Sequence, residues 1–566
     1  MPTVSVQRDL LFERIGRTFT DSSFDELCFQ FGIELDEVLE ESNQPVVYKI
    51  EIPANRYDML SLEGISRALA VFLETKATPK YQVCVPEKKI RLEVSPSVKS
   101  VRPVVVAAVL RGIKFTETSY QSFIDLQEKI HGGIGRRRQI VSMGTHDLDT
   151  VKGPTFKYEA LDPASFSFIP LNQKECVDGR GMVKLYDSDI KIKKFLPLIR
   201  DSPLFPVIRD STNLIMSVPP IINSDHSKIR LETKNVFIEV TGTDRTKAMI
   251  ALNTICTDFA EYCEAVEAVE VVYESGTSLT PEFDSRTLTV SMPYINKAIG
   301  IAISPEEASR LLSRMCLQAK VGKEDLHVTV PVFRSDIFHA CDVMEDVAIA
   351  YGFNNIPKAL PPTTSVGSVL PINQLSDALR LEVALAGFTE VLTLTLCSRA
   401  ENFTLLRLED DPQGAVALSN PKTAEYQVVH TSLIPELLKT LACNKHMPLP
   451  LRLFTVADVC LIDESGDTGA RNERRLCALF AGQQGSGFEL IHGLLDRLMA
   501  MLDVKPDGYR IQPSSIPTFF EGRQAEVIYN GKKVGAFGIV HPEVLKGFEV
   551  PWVVGSVLEL CVEAFL

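Results

Sequence analysis

A chain of 566 residues cannot close around one hydrophobic core, so the strongest constraint on its fold is where it breaks. At ~150 residues per domain, about four domains are expected. Two stretches supply punctuation: Thr75 to Lys89, with its prolines and lysines, and the Pro361-Pro362 pair. Together with a change of pattern near residue 280, they divide the chain into residues 1–85, 86–278, 279–360 and 361–566. The segments mix helical and extended patterns, so the expected class is α+β and multidomain.

In the first segment Asp21 or Ser22 is placed to cap a helix carrying Phe24, Leu27 and Phe31, and Val46 to Ile52 reads as a strand. The second alternates β-branched runs, such as Val104 to Val109 and Val236 to Val240, with polar turns. The third has strands at Leu288–Met292 and Val328–Val330, a helix opened by Pro305-Glu306-Glu307, and another helix after Asp336. In the last, Ile434 to Leu441 reads as helix and Arg452 to Cys460 as strand. Leu433, Leu437, Leu438 and Leu441 form a stripe of the kind found more often in a core than at an interface. One string recurs: Pro53-Ala54-Asn55-Arg56-Tyr57-Asp58 and Pro331-Val332-Phe333-Arg334-Ser335-Asp336, each between a β-type run and an apolar-periodic helix. Two copies do not make a solenoid; they fit either a shared strand-turn-helix module or chance.

Composition narrows the function classes. At 45% hydrophobic and 23% charged residues the chain reads as globular throughout. No run approaches ~18 apolar residues, so no membrane span is expected, and Met1 to Leu11 lacks the apolar stretch of a secretory signal, which suggests a cytoplasmic protein. Twelve cysteines without a C-x-x-C pattern read as reduced core residues. A net charge of −14 excludes a nonspecific nucleic-acid coat, so any RNA contact is local or shared with a partner. The basic run Arg136-Arg137-Arg138 is either such a contact or a solvated loop. No phosphate-binding loop is present, and Gly132-Gly133-Ile134-Gly135 and the 482–487 glycines lack the context of a dinucleotide fingerprint, so no ATP site is assigned. In Gly144-Thr145-His146-Asp147 adjacent side chains point oppositely and no G-x-S-x-G supplies a nucleophile; a structural turn is expected.

The helix after Asp336 carries the densest chemistry. Ile337, Cys341, Met344, Ala348 and Tyr351 draw an apolar stripe ending at Gly352, and Asp342, Glu345 and Asp346, spaced i, i+3, i+4, lie together beside it. With Asp336 at the helix start, four carboxylates can converge, and like charges so placed repel unless a cation neutralises them. Magnesium, which takes oxygen ligands and keeps waters, is the natural candidate. An N-capping Asp336 and a solvated acidic face fit the same spacing.

Several longer strings then occur in one order: Ile52-Pro53-Ala54-Asn55-Arg56-Tyr57-Asp58, Gly144-Thr145-His146-Asp147-Leu148-Asp149, Pro219-Pro220-Ile221-Ile222-Asn223, Glu239-Val240-Thr241-Gly242-Thr243-Asp244, Tyr351-Gly352-Phe353-Asn354-Asn355-Ile356 and Gly538-Ile539-Val540-His541-Pro542. In these strings the chain resembles the β subunits of cytosolic phenylalanyl-tRNA synthetases of the archaeal/eukaryotic type, from its first residues to its last.

That resemblance implies an editing domain at 86–278, a small helix-turn-helix-like module at 279–360, and a class II synthetase-like antiparallel sheet domain at 361–566 that lacks catalytic motifs. It implies an α-subunit partner in an assembly of two α and two β chains, phenylalanine tRNA as substrate, and ATP-dependent charging carried by α. It implies Mg²⁺ on Asp336, Asp342, Glu345 and Asp346. It also implies hydrolysis of tyrosine wrongly esterified to the tRNA, with Ser217, Glu239 and Thr241 as site residues. An apolar pocket discriminates weakly against an isostere that adds one hydroxyl, which is the physical need for a second, hydroxyl-reading site. Glu239 and Thr241, two apart on a strand, face the same way; without the resemblance they read as an acid and a hydroxyl on a half-buried strand. Four positions depart from the family pattern: His430 for Arg, Glu436 for Gly, Thr455 for Glu, and Glu521 for Pro. Two rivals stand beside this expectation: a noncatalytic RNA-binding or assembly scaffold with an inactive editing pocket, and an autonomous metal-dependent hydrolase on the acidic cluster, the latter weakened by the lack of histidine ligands other than His339.

Overall fold

The computed structural model describes residues 2–41, 44–360, 363 and 366–566. Its contacts separate two units, Met1–Leu360 and Pro361–Leu566. The Pro361-Pro362 pair itself lies outside the described residues.

Within the first unit a three-stranded antiparallel sheet (Thr3–Gln7, Val47–Glu51, Glu34–Leu39) packs with helices Arg8–Ile15 and Asp21–Phe31. Phe24, Leu27 and Phe31 are buried as their spacing requires, but the cap is Thr20, whose hydroxyl accepts from the Ser23 amide; Asp21 and Ser22 fall inside the first turn. A ten-stranded mixed sheet follows. Next to one edge of it Val236–Gly242 lies antiparallel between Val104–Arg111 and the edge strand Val141–Asp147. Helices Glu117–Gly132 and Arg245–Phe259 contribute to the apolar core on one side, while a separate cluster around Phe156 and Phe237 fills the other. All residues of Val236–Gly242 are buried, which is why it reads as a nearly continuous apolar run. A third sheet, Arg286–Ser291, Asp325–Val330 and Gln318–Val321, packs with helices Met292–Ile299, Pro305–Arg314 and Ala340–Tyr351. One continuous core, from Val4 to Ala350, runs through all three sequence segments.

The recurrent string is a shared structural turn. Arg56 N–H donates to Pro53 O at 3.0 Å and Arg334 N–H to Pro331 O at 3.0 Å. Each arginine then forks onto the aspartate two residues on, Arg56 to Asp58 at 2.9 and 2.9 Å and Arg334 to Asp336 at 3.0 and 2.7 Å. Both arginines are buried, and the two copies meet: Arg56 Nε stands 3.9 Å from Asp336 Oδ2. Bidentate pairing of this sort is the strong form of charged hydrogen bond, and burial makes each partner dependent on the other.

The second unit is built on a seven-stranded sheet. Thr389–Glu390 joins Leu451–Ile462 in parallel, and Ala470–Gly482, Val554–Cys561, Lys532–Val540, Phe519–Tyr529 and Tyr509–Pro513 continue it antiparallel. Helices Pro371–Leu385 and Phe488–Met501 pack into one core cluster, Ile434–Cys443 and Pro542–Gly547 into another. Leu433, Leu437, Leu438 and Leu441 are fully buried in that second cluster. His430 and Glu436, two of the departures, are both buried and stand together: His430 Nε2 bonds Asp458 O at 2.9 Å, while its Nδ1 and Glu436 Oε1, 3.9 Å apart, have no hydrogen-bond partner.

The cysteines are not uniformly core residues. Cys28, Cys256, Cys316, Cys397 and Cys477 are buried, but Cys84, Cys176, Cys341 and Cys443 are exposed. Among the described residues no helix is long and apolar enough to cross a membrane.

Candidate functional site

Glu239 and Thr241 are polar interruptions in a strand buried on both faces, so each must find a partner inside the protein. Glu239 lies opposite Ala107 on one neighbouring strand and Gly144 on the other. Its Oε1 accepts from Ser217 Oγ at 3.0 Å, Ser217 coming from the Ile215–Val218 strand. Its Oε2 is buried with no hydrogen-bond partner. Burial raises the carboxyl above the usual carboxylate range, against the pull of His146, Ser217 and Arg102. Gly144 leaves the room for it: a Cβ there would overlap Glu239 Oε1, sit 3.0 Å from its carboxyl carbon and lie 3.1 Å from Asn223 Oδ1.

Glu239 forms part of the wall of a cavity of about 800 Å³. Around it stand Gln127 and His131 from the Glu117–Gly132 helix, Thr145 beside Gly144, and the Pro219–Asn223 segment. Gln127 Nε2 and His131 Nδ1 are, like Glu239 Oε2, buried without hydrogen-bond partners. A pocket whose depth holds several unpaired buried donors and acceptors is built for a polar ligand, because leaving such groups unmade costs ~1–3 kcal/mol each.

The three expected residues divide. Ser217 and Glu239 are joined by a hydrogen bond, though Ser217 stands behind the cavity wall and not in it. Thr241 is not part of the cavity wall: its Oγ1 accepts from Arg102 Nε at 3.0 Å and its carbonyl from Arg102 Nη2 at 3.0 Å. Arg102 is itself buried, and burial pulls its pKa down to about 10. The shared face of residues 239 and 241 is real, but a buried arginine takes the hydroxyl.

Other participants escaped sequence reasoning. His146 is fully buried, its Nδ1 2.9 Å from Ser227 Oγ and its Nε2 4.0 Å from Glu239 Oε1. Gly144 to Asp147 is not the expected turn but the end of the Val141–Asp147 strand, because it pairs with Val236–Glu239; the turn follows at 148–150, where the Asp147 carboxylate accepts from the Asp149 amide and from Thr233 Oγ1. The arginine run is neither three solvated side chains nor one basic strip. Arg136 and Arg137 are exposed, but Arg138 folds back over the Phe195 ring and donates to Ile221 O at 3.0 Å, in the cavity wall.

The four expected magnesium ligands do not converge. The helix begins at Ala340, later than its pattern suggests, with His339 as cap. Its buried face is Val343, Asp346, Val347, Ala348 and Ala350, so the expected stripe is rotated: Cys341 is exposed and Met344 and Tyr351 only half-buried. Asp342 closes the cap by accepting from the His339 amide at 2.8 Å and the Phe338 amide at 2.7 Å. Asp336 and Asp346 are both taken by Arg334, whose Nη2 lies 2.7 and 2.8 Å from their oxygens. Glu345 faces solvent. The cation that relieves this acidic helix is therefore a guanidinium, and the donor set as arranged does not fit a magnesium ion. Among the described residues no group of three or more His, Cys, Asp or Glu side chains is placed to hold a metal.

Comparison with known proteins agrees along the whole chain. Residues 1–75 match the family model described as Phe-tRNA synthetase beta subunit B1 domain, 97–281 the B3/4 domain, 288–353 the tRNA synthetase B5 domain, and 356–562 the Phenylalanyl tRNA synthetase beta chain CLM domain. "Phenylalanine--tRNA ligase beta subunit" of Drosophila melanogaster is 47% identical and that of Homo sapiens 48%, each over 100% of this chain and 100% of the relative. The form of Arabidopsis thaliana named cytoplasmic is 46% identical over the same full extent. Among solved structures, an N-terminal fragment of the phenylalanyl-tRNA synthetase β subunit from Pyrococcus horikoshii aligns with a TM-score of 0.58 at 34% identity, covering 62% of this chain and 99% of that one. The chain belongs to the phenylalanine–tRNA ligase β-subunit family, and so to a subunit of an aminoacyl-tRNA ligase.

Proposed function

We propose that the cavity over Glu239 hydrolyses the ester of tyrosine wrongly joined to phenylalanine tRNA. In this reading the chain works in the cytoplasm beside a catalytic α subunit, two of each, and α charges the tRNA with phenylalanine at the expense of ATP. The 361–566 unit is read as a noncatalytic class II synthetase-like domain that binds that partner, and residues 86–278 as the editing domain.

The observation that carries the reading is the unpartnered, buried Oε2 of Glu239. A phenol brings the missing partner: an ionised Glu239 accepts the phenolic hydrogen, and a protonated one donates to the phenolic oxygen. A phenylalanyl side chain leaves that oxygen unpaired, and a site built to hydrogen-bond a hydroxyl rejects the analogue lacking it by ~10⁴-fold or more. Ser217 fixes the carboxyl through its other oxygen, and Gly144 keeps the space clear. Hydrolysis then needs only a water to add to the ester carbonyl, the ribose oxygen leaving with a proton; no covalent nucleophile is required. No step is routed through magnesium, because Arg334 already neutralises Asp336 and Asp346.

The test is the chain co-assembled with an α subunit and supplied with tyrosyl-tRNA. Wild type is expected to clear the ester, and Glu239→Ala to slow clearance at least tenfold while phenylalanine charging continues. Clearance unchanged in Glu239→Ala removes Glu239 from the site; no clearance by wild type leaves an assembly scaffold with an inactive pocket.

A further inference from the structure

An aminoacyl ester offers three handles to a protein: its side chain, the ribose–phosphate it is attached to, and a free α-ammonium. Under the editing reading Glu239 takes the first. The cavity lining also supplies cations, Arg138, Lys228 and Arg230, which suit the second. A cationic amine needs an anion, and the one carboxylate in the lining besides Glu239 is Glu128.

Glu128 is held like a site residue, although its side chain is 62% exposed. Its Oε1 accepts from Arg138 Nη2 at 3.0 Å, and His131 Nδ1 stands 3.5 Å from the same oxygen without bonding it. Oε2 takes neither. His131 is buried, and its Nε2 accepts from the Met143 amide at 2.9 Å, which puts the ring hydrogen on Nδ1, facing Glu128. That Nδ1 lacks a hydrogen-bond partner within bonding geometry, so the corner has an unfilled donor as well as a free acceptor. Arg138 is in turn tied to the cavity wall at Ile221 O, so the carboxylate is positioned relative to the pocket and does not swing as a surface glutamate would. His131 and Arg138 lower the pKa of the acid, which is anionic at neutral pH.

We propose that Glu128 receives the α-ammonium of the mischarged amino acid on its free Oε2, so that the cavity favours esters whose amine is unblocked. This rests on the editing reading. His131 and Arg138 are positioning residues that orient the carboxylate.

The experiment compares tyrosyl-tRNA with N-acetyl-tyrosyl-tRNA, whose amine is neutral, using the chain in complex with an α subunit. Wild type is expected to clear the free-amine ester at least tenfold faster than the acetylated one. Glu128→Gln should lower kcat/KM for the free-amine ester by ~10- to 100-fold, the range of one charge-assisted hydrogen bond, and leave the acetylated ester within about twofold. Glu239→Ala, which removes the hydroxyl reader, should slow both esters. Equal clearance of the two esters by wild type, or equal slowing of both by Glu128→Gln, overturns the assignment of Glu128 and leaves the editing reading standing. A wild-type complex that clears neither ester overturns the editing reading and Glu128 with it.

Discussion

Gly144→Ala tests whether the space beside Glu239 is the reason for the pocket. The added methyl would overlap Glu239 Oε1 and press on Asn223 Oδ1, so either the strands or the carboxyl must shift. Overpacking of this kind costs ~1–3 kcal/mol of stability. If the carboxyl instead swings aside, its bond to Ser217 and its alignment with a phenol are lost together. A charge-assisted hydrogen bond is worth ~1.5–3 kcal/mol, so clearance of tyrosyl-tRNA should fall ~10- to 150-fold at 1.36 kcal/mol per decade. Initial rates of deacylation by the assembled subunits measure the loss. A double-mutant cycle isolates its origin: in a Glu239→Ala background the methyl meets empty space, so Gly144→Ala should then cost under about 0.5 kcal/mol in chemical denaturation. Clearance within threefold of wild type, or stability losses that simply add, would refute the steric argument.

Two further outcomes follow from buried charge. Arg334→Met leaves Asp336 and Asp346 without their cation, and should destabilise the first unit by ~3–5 kcal/mol in urea unfolding, most of it restored by adding Asp336→Asn and Asp346→Asn. Glu436, buried beside a neutral-leaning His430, has its pKa raised by burial from 4.5 to about 7. The folded state therefore binds the extra proton between those values, and stability falls as pH rises through that window, by about 3 kcal/mol in all. Urea titrations from pH 4 to 8 should show that slope in wild type and lose it in Glu436→Gln; an equal slope in both would place its source elsewhere.

Much of the site was legible because strand periodicity is strict. That Glu239 and Thr241 share a face follows from a period of two, and the structure keeps it. What periodicity cannot supply is the neighbour from a distant segment. Arg102 reaches Thr241 from just before the neighbouring Val104–Arg111 strand, and Gly144 and His146 reach Glu239 by sheet pairing. Adjacent residues on a strand do point oppositely at His146 and Asp147, but alternation alone does not show that the buried His146 lies beside an acid one strand away. The acidic helix failed for a related reason. Residues 342, 345 and 346 cluster in projection, but the turn carrying Arg334 decides which of them gain a partner, and the cap at His339 shifts the buried face. The repeated Pro-x-x-Arg-x-Asp string was visible, whereas the meeting of its two copies was not, since nothing local brings them together.

The unbroken core from Val4 to Ala350 has a practical meaning for anyone dissecting the protein. The boundaries of the family models at 75, 97, 281 and 288 mark stretches of kinship, but a knife placed there would open the same oily interior each time. Grafts between relatives should accordingly carry residues up to 360 as one inheritance, with the cavity over Glu239 travelling inside it.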